Sequence, residues 1–94
     1  QYVDYAPLIS YQWMASDKPL FQIAGFHILA RLFSKGQEAN ERGINEFLDQ
    51  AAVALQDENM GVKHAAANCV MRFADLGEEY EKIARAALKG IFDF

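Results

Sequence analysis

The residues that could carry out chemistry are few and lie far apart in the sequence. The two histidines, His27 and His64, could hold a metal ion or transfer protons. They occupy different points of the pattern described below, however, and no carboxylate motif accompanies them. Cys69 lies among apolar residues, whereas a nucleophilic thiol needs an exposed, electropositive setting. We therefore interpret the histidines as surface residues and Cys69 as a core residue.

The sequence also lacks the loops that bind phosphate or present a nucleophile. The glycines lie at positions 25, 36, 43, 61, 77 and 90, without the spacing of a dinucleotide or Walker-type loop. No serine lies in a nucleophile-elbow sequence. We therefore expect a protein that is not an enzyme and that needs no cofactor and no metal.

Composition favours one small helical domain. The chain has 94 residues, of which 52% are hydrophobic and 23% are charged. Fifteen alanines, four valines and no threonine favour helix over strand. The net charge of -4 argues against a dedicated nucleic-acid binder, which usually needs a basic face.

Two features bear on location. One cysteine excludes an internal disulfide framework and fits a reducing compartment, so we expect a cytoplasmic protein. No apolar run approaches the roughly 20 residues that span a membrane, and we see no secretory signal. We therefore expect no membrane partner.

Two pairs of segments repeat within the chain. At an offset of 41 residues, Phe21, Gln22, Ala24, Gly25, Ile28, Leu29, Arg31 and Leu32 match Val62, Lys63, Ala65, Ala66, Cys69, Val70, Arg72 and Phe73. At an offset of 36, the helical stripe Ile44, Phe47, Leu48, Ala51, Ala52 and Leu55 matches Tyr80, Ile83, Ala84, Ala87, Leu88 and Ile91. A weaker third copy of that stripe is Tyr2, Tyr5, Ala6, Ile9, Ser10 and Trp13.

These patterns predict five helices, at about 5–15, 18–34, 41–56, 59–74 and 78–90. Asp17 and Asp57 are expected to cap the second and fourth helices, and Pro19 fits a first turn. Gly36 is expected to end the second helix and Gly90 the last. Asp75 and Glu78 have the spacing of a capping box.

A unit of about 40 residues made of two antiparallel helices resembles the HEAT-type repeat. Asp57, Val62, Lys63, Ala66, Cys69, Val70 and Phe73 follow its pattern well. Asp17, Phe21, Gln22, Gly25, Ile28, Leu29 and Leu32 follow it less well, with Gln22 where a basic residue is usual. The resemblance implies a single all-α domain over 1–94 with repeats at 17–56 and 57–90, preceded by a half repeat at 2–15. A compact bundle of five helices is the alternative fold.

The resemblance also implies that the second helix of each repeat lines a concave, partner-binding surface. Glu46, Asp49 and Gln50 would then lie beside Lys82, Arg85 and Lys89, and such a mixed-sign groove suits a protein or peptide partner. Ordinary solvated helix faces would equally explain these charges. Tyr11 and Trp13 on the aromatic first helix are candidate anchors for a partner or for a homodimer. The long connection 34–43 is either a binding loop or a tolerated insertion.

Three hypotheses for function follow. The first is a non-enzymatic protein-interaction module or scaffold. The second is a small acidic inhibitor, such as a bacterial immunity protein that neutralises a basic toxin. The third is a nucleic-acid-binding helical repeat protein, against which the scarcity of basic residues on any one face speaks.

Overall fold

The computed structural model of the chain describes residues 6–36 and 41–92, and all regular secondary structure in those ranges is α-helical. Its helices are α1 (Ala6–Met14), α2 (Pro19–Ser34), α3 (Glu41–Leu55), α4 (Met60–Ala74) and α5 (Glu78–Ala87). For the residues described, the prediction of an all-α fold with five helices in this order is confirmed. Tyr2 and Tyr5, which belong to the third copy of the predicted stripe, lie outside the described residues.

Helix boundaries follow the proline and glycine signals. Pro19 is the first residue of α2, where its missing N–H costs no helical hydrogen bond. Gly36 follows the end of α2 with a φ of 81°, a left-handed conformation that side chains disfavour. Gly90 has the same φ of 81°, but α5 itself ends earlier, at Ala87.

The expected aspartate caps are wrong, because both helices begin too late for those carboxylates to reach the first turn. Lys18 precedes α2 and makes no side-chain cap. At α4 the cap is Asn59, whose side-chain oxygen accepts a hydrogen bond from the Val62 N–H at 3.2 Å. Asp57 instead accepts from the Asn59 N–H at 2.7 Å and so stabilises the turn that leads into the cap.

The expected capping box at α5 is also wrong. Gly77 occupies the N-cap position and has no side chain to offer. Asp75 is the C-cap of α4, and its carboxylate lies 3.7 Å from the Arg72 guanidinium. Both side chains are exposed, so this ion pair contributes little to stability.

Contacts at both ends show that α2 and α4 run parallel and side by side. Near their starts, the Ile23 side chain lies against Gly61. Near their ends, the rings of Phe33 and Phe73 lie 5.4 Å apart. The remaining helices pack around this pair: α1 against α2, and α3 and α5 against α4.

The core is centred on three phenylalanines, Phe33, Phe47 and Phe73, which we call the phenylalanine cluster. Their ring centroids lie 5.3–5.4 Å from one another, at the tilted and edge-on angles that aromatic pairs prefer. Tyr80 of α5 adds a fourth ring 5.4 Å from Phe73. One set of contacts thus joins α2, α3, α4 and α5.

The buried face of α1 differs from the predicted stripe. Of that stripe, Ser10 is buried as expected, whereas Ile9 and Trp13 are each 37% exposed. Met14, which is not part of the stripe, is buried instead. Because α1 has apolar residues on nearly every side, its periodicity could not select the face that packs.

Within the described ranges, each helix is too short or too polar to cross a membrane.

Gly25 is where α1 and α2 approach most closely. A Cβ at Gly25 would lie 2.7 Å from both the Met14 N and the Ser10 O, which are backbone atoms that cannot move alone. At Gly61 an added Cβ would meet only the ends of two side chains, at 3.0 and 3.2 Å. Gly61→Ala is therefore a matched control for Gly25→Ala.

We expect Gly25→Ala to lower the free energy of unfolding by about 1–3 kcal/mol, since the helices must separate to admit the methyl group. Gly61→Ala should change it by less than about 1 kcal/mol, because the gain in helix propensity offsets the small shifts that the Ile23 and Asn59 side chains must make. Urea unfolding followed by circular dichroism measures both values. Equal losses for the two variants would show that this close approach is not a constraint on the fold.

Candidate functional site

An open depression lies between α1 and the first half of α3. Tyr11 of α1 forms one side, and α3 contributes Glu41, Arg42, Gly43, Asn45, Glu46 and Asp49. α3 turns Phe47, Leu48 and Ala51 inward, so its opposite side faces solvent. Arg42, Asn45, Glu46 and Asp49 have the i, i+3, i+4, i+7 spacing of one helix face.

The depression is acidic. Its lining includes three carboxylates, those of Glu41, Glu46 and Asp49, and one guanidinium, that of Arg42. All four residues are exposed to solvent. The Gln50 side-chain amide donates a hydrogen bond of 3.5 Å to Glu46 one turn away, a long and therefore weak restraint on that carboxylate.

Tyr11 is the half-buried member of the site. Burial raises the pKa of its hydroxyl above the ordinary value of 10, and the negative charges of Cys69 and Glu46, when ionised, raise that pKa further. The phenol therefore stays protonated across the physiological range. It presents an aromatic ring and a neutral hydroxyl beside the carboxylates of α3.

Cys69 lies behind this site and takes no part in its surface. The side chain is fully buried in the core cluster, and burial strongly raises the pKa of its thiol. A buried, protonated thiol is a poor nucleophile. The prediction that Cys69 is a core residue is confirmed.

The basic candidates lie elsewhere. Lys82 and Arg85 are on α5 and Lys89 follows it, and none of the three lines the depression. Arg85 pairs with Glu81 of its own helix at 2.8 Å. Because α3 and α5 both pack on α4, the depression forms between α1 and α3 rather than between an acidic and a basic helix.

Trp13 lies outside the depression as well. Its ring is 5.6 Å from that of Phe21, across the turn between α1 and α2. The structure thus groups Tyr11 with Glu46 and Asp49, places Gln50 next to them, and separates Trp13 from the group.

Glu41, Arg42 and Asn45 line the site but were not among the predicted residues. The polar i, i+3, i+4, i+7 row on α3 was a usable signal for Arg42 and Asn45, although it marks any solvated helix face equally. Glu41 and Gly43 lie in the first turn of α3, although they also belong to the predicted 34–43 connection, of which residues 37–40 lie outside the described part.

His27 and His64 are both exposed. In the described ranges, no three histidine, cysteine or acidic side chains are grouped so that they could hold a metal ion.

The titration of Tyr11 tests the geometry of this site. We expect Glu46→Gln to lower the pKa of Tyr11 part of the way towards 10, because burial, the larger cause, remains. Absorbance at 295 nm, with Tyr11→Phe subtracted to isolate this residue, measures the shift. An unchanged pKa would mean that Glu46 and Tyr11 are not neighbours.

The raised pKa also has a consequence for stability. The folded state holds the phenol proton more tightly than the unfolded chain, whose pKa is near 10. This contribution is fully present below pH 10 and is lost as the pH rises through the folded value. As the pH rises above 10, the free energy of unfolding of Tyr11→Phe should therefore fall less than that of the unmodified chain.

Comparisons of the chain with protein-family models, with curated proteins and with solved structures each returned no match. The geometry and charge of the depression are therefore what bears on function.

Proposed function

We propose that this chain is a non-enzymatic protein-interaction module made of HEAT-like helical hairpins, and that the depression between α1 and α3 binds a basic segment of a partner protein. One observation carries the proposal. A concave surface combines a half-buried tyrosine with three carboxylates and one guanidinium.

The packing of the helices supports the repeat architecture. In stacked hairpins, the first helices of successive repeats lie parallel and in direct contact, as α2 and α4 do. α3 and α5, the second helices of the two repeats, each pack on α4.

The chemistry of the lining supports a cationic partner. Three negative charges against one positive charge leave the depression with a formal charge of -2. Lysine and arginine side chains are attracted to such a surface, whereas a phosphate backbone is repelled. The Tyr11 ring adds a face on which a guanidinium can stack.

Arg42 supplies the specificity that carboxylates alone lack. Its guanidinium lies in the same helical row as Glu46 and Asp49. A partner segment that places one acidic residue among basic ones would pair with the whole row. An inhibitor that neutralises a basic protein would use the same surface and is a special case of this proposal.

The test uses a fluorescently labelled synthetic peptide of twelve residues that contains alternating arginine and lysine and no aromatic residue. We expect the Glu46→Gln/Asp49→Asn variant to bind it about tenfold more weakly, because two exposed ion pairs are lost. Fluorescence anisotropy at low and at physiological salt measures affinity, and screening should weaken binding as salt rises.

The matched control is Glu78→Gln/Glu79→Gln. It removes the same two charges from exposed positions in the first turn of α5. This control should weaken binding by less than about twofold if the depression is the site. If the control lost as much affinity as the depression variant, net charge alone would explain the effect, and the proposal would be wrong.

A further inference from the structure

A second surface gathers exposed apolar side chains at one end of the molecule, where α1 ends and where α2 and α4 begin. Its members are Trp13, Leu20, Phe21 and Met60, which are 37%, 81%, 42% and 58% exposed. We call this set the end surface. Single exposed apolar residues are ordinary, but four large ones in one region are typical of a binding surface.

Contacts join these residues across three helices. The rings of Trp13 and Phe21, 5.6 Å apart, connect α1 to α2. Ile23 lies against Gly61, so the starts of α2 and α4 are adjacent. Leu20 precedes Ile23 by one helical turn and Met60 immediately precedes Gly61, which places both side chains at that shared end.

The end of α3 lies at the same end of the molecule, where its exposed residue Val53 lines a separate shallow depression with Gln56, Asp57 and Glu58. Only residues 56–59 connect α3 to α4, and the two helices pack on each other, so they run antiparallel. The last turn of α3 therefore lies near the start of α4. Val53 lies in that turn and is 68% exposed.

The two segments that connect the helices at the end surface are mainly negative, and the nearest cation on the helices is Lys63, one turn after Met60. Its two connecting segments carry Asp17, Asp57 and Glu58 against one cation, Lys18. The Lys18 ammonium lies 5.8 Å from the centre of the Phe21 ring, so this cation covers part of the aromatic surface. A second copy of this chain would bring two acidic edges together, whereas a partner with cationic edges would be attracted.

We propose that the end surface binds an amphipathic helix of a partner protein, with its apolar stripe on Trp13, Leu20, Phe21 and Met60 and with lysine or arginine on its flanks. A partner helix that presents apolar side chains at i, i+3, i+4 and i+7 can contact several of these neighbouring residues at once. No residue of the end surface lines the depression. The two sites can therefore be tested separately.

The chain contains one tryptophan, Trp13, so its fluorescence reports directly on this surface. The probe is a synthetic helical peptide of 18 residues without tryptophan, with a leucine stripe and lysine flanks. One comparison peptide keeps the stripe but has glutamate flanks, and another keeps the composition but has a scrambled stripe. We expect a blue shift of Trp13 emission with the lysine-flanked peptide, and binding at least about tenfold tighter than with either comparison peptide.

Two variants and two controls locate the site. Leu20→Ser and Met60→Ser should each weaken binding of the lysine-flanked peptide severalfold, and both residues are exposed enough for the fold to be retained. Met71→Ser, a change at a 44% exposed methionine in the last turn of α4, should leave binding unchanged. Glu78→Gln/Glu79→Gln, which removes two charges near the opposite end of α4, should change binding by less than about twofold.

Several results would overturn the inference. If the scrambled peptide bound equally well, charge alone would be responsible for binding. If the glutamate-flanked peptide bound equally well, apolar contact alone would be responsible. Equal effects of Leu20→Ser and Met71→Ser would remove the end surface as the site. A blue shift with rising protein concentration and a doubled mass by light scattering would assign the surface to a second copy, and an equal shift with phosphatidylcholine vesicles would assign it to a membrane.

Discussion

The contacts of Phe73 are the interaction on which the rest of the structure depends. Its ring touches Phe33 of α2, Phe47 of α3 and Tyr80 of α5 at 5.3–5.4 Å, and it is completely buried. Each edge-on contact defines an orientation as well as a distance, because aromatic rings prefer particular angles. The rotation of α3 about its axis follows from the inward direction of Phe47, and that rotation directs Glu46 and Asp49 towards solvent.

The close approach of α1 to α2 at Gly25 has a similar consequence. Ser10 and Met14 are held inward against α2, so the rotation of α1 is determined. Tyr11 and Trp13 are two residues apart, which separates them by about 200° around a helix. One short helix therefore contributes to two surfaces: Tyr11 faces α3 and the acidic depression, and Trp13 faces Phe21 and the end surface.

Part of the candidate site could be predicted from the sequence. The alternation of polar and apolar residues on α3 identified Glu46, Asp49 and Gln50 as surface residues, and the aromatic character of α1 drew attention to Tyr11 and Trp13. Their grouping could not be predicted. Whether α3 faces α1 or α5 depends on which helices pack on α4, and no local pattern encodes that choice.

The sequence by itself determined the number, order and approximate bounds of the helices, because apolar periodicity, Pro19 and Gly36 act locally. It also determined that Cys69 is buried, since an apolar stripe on a helix must find a partner surface. Only the tertiary structure decided which face of α1 packs, because that helix is apolar nearly all round. Only the tertiary structure separated Lys82, Arg85 and Lys89 from the acidic depression. The reason is that α4 lies between α3, which carries the acidic residues, and α5, which carries the basic ones.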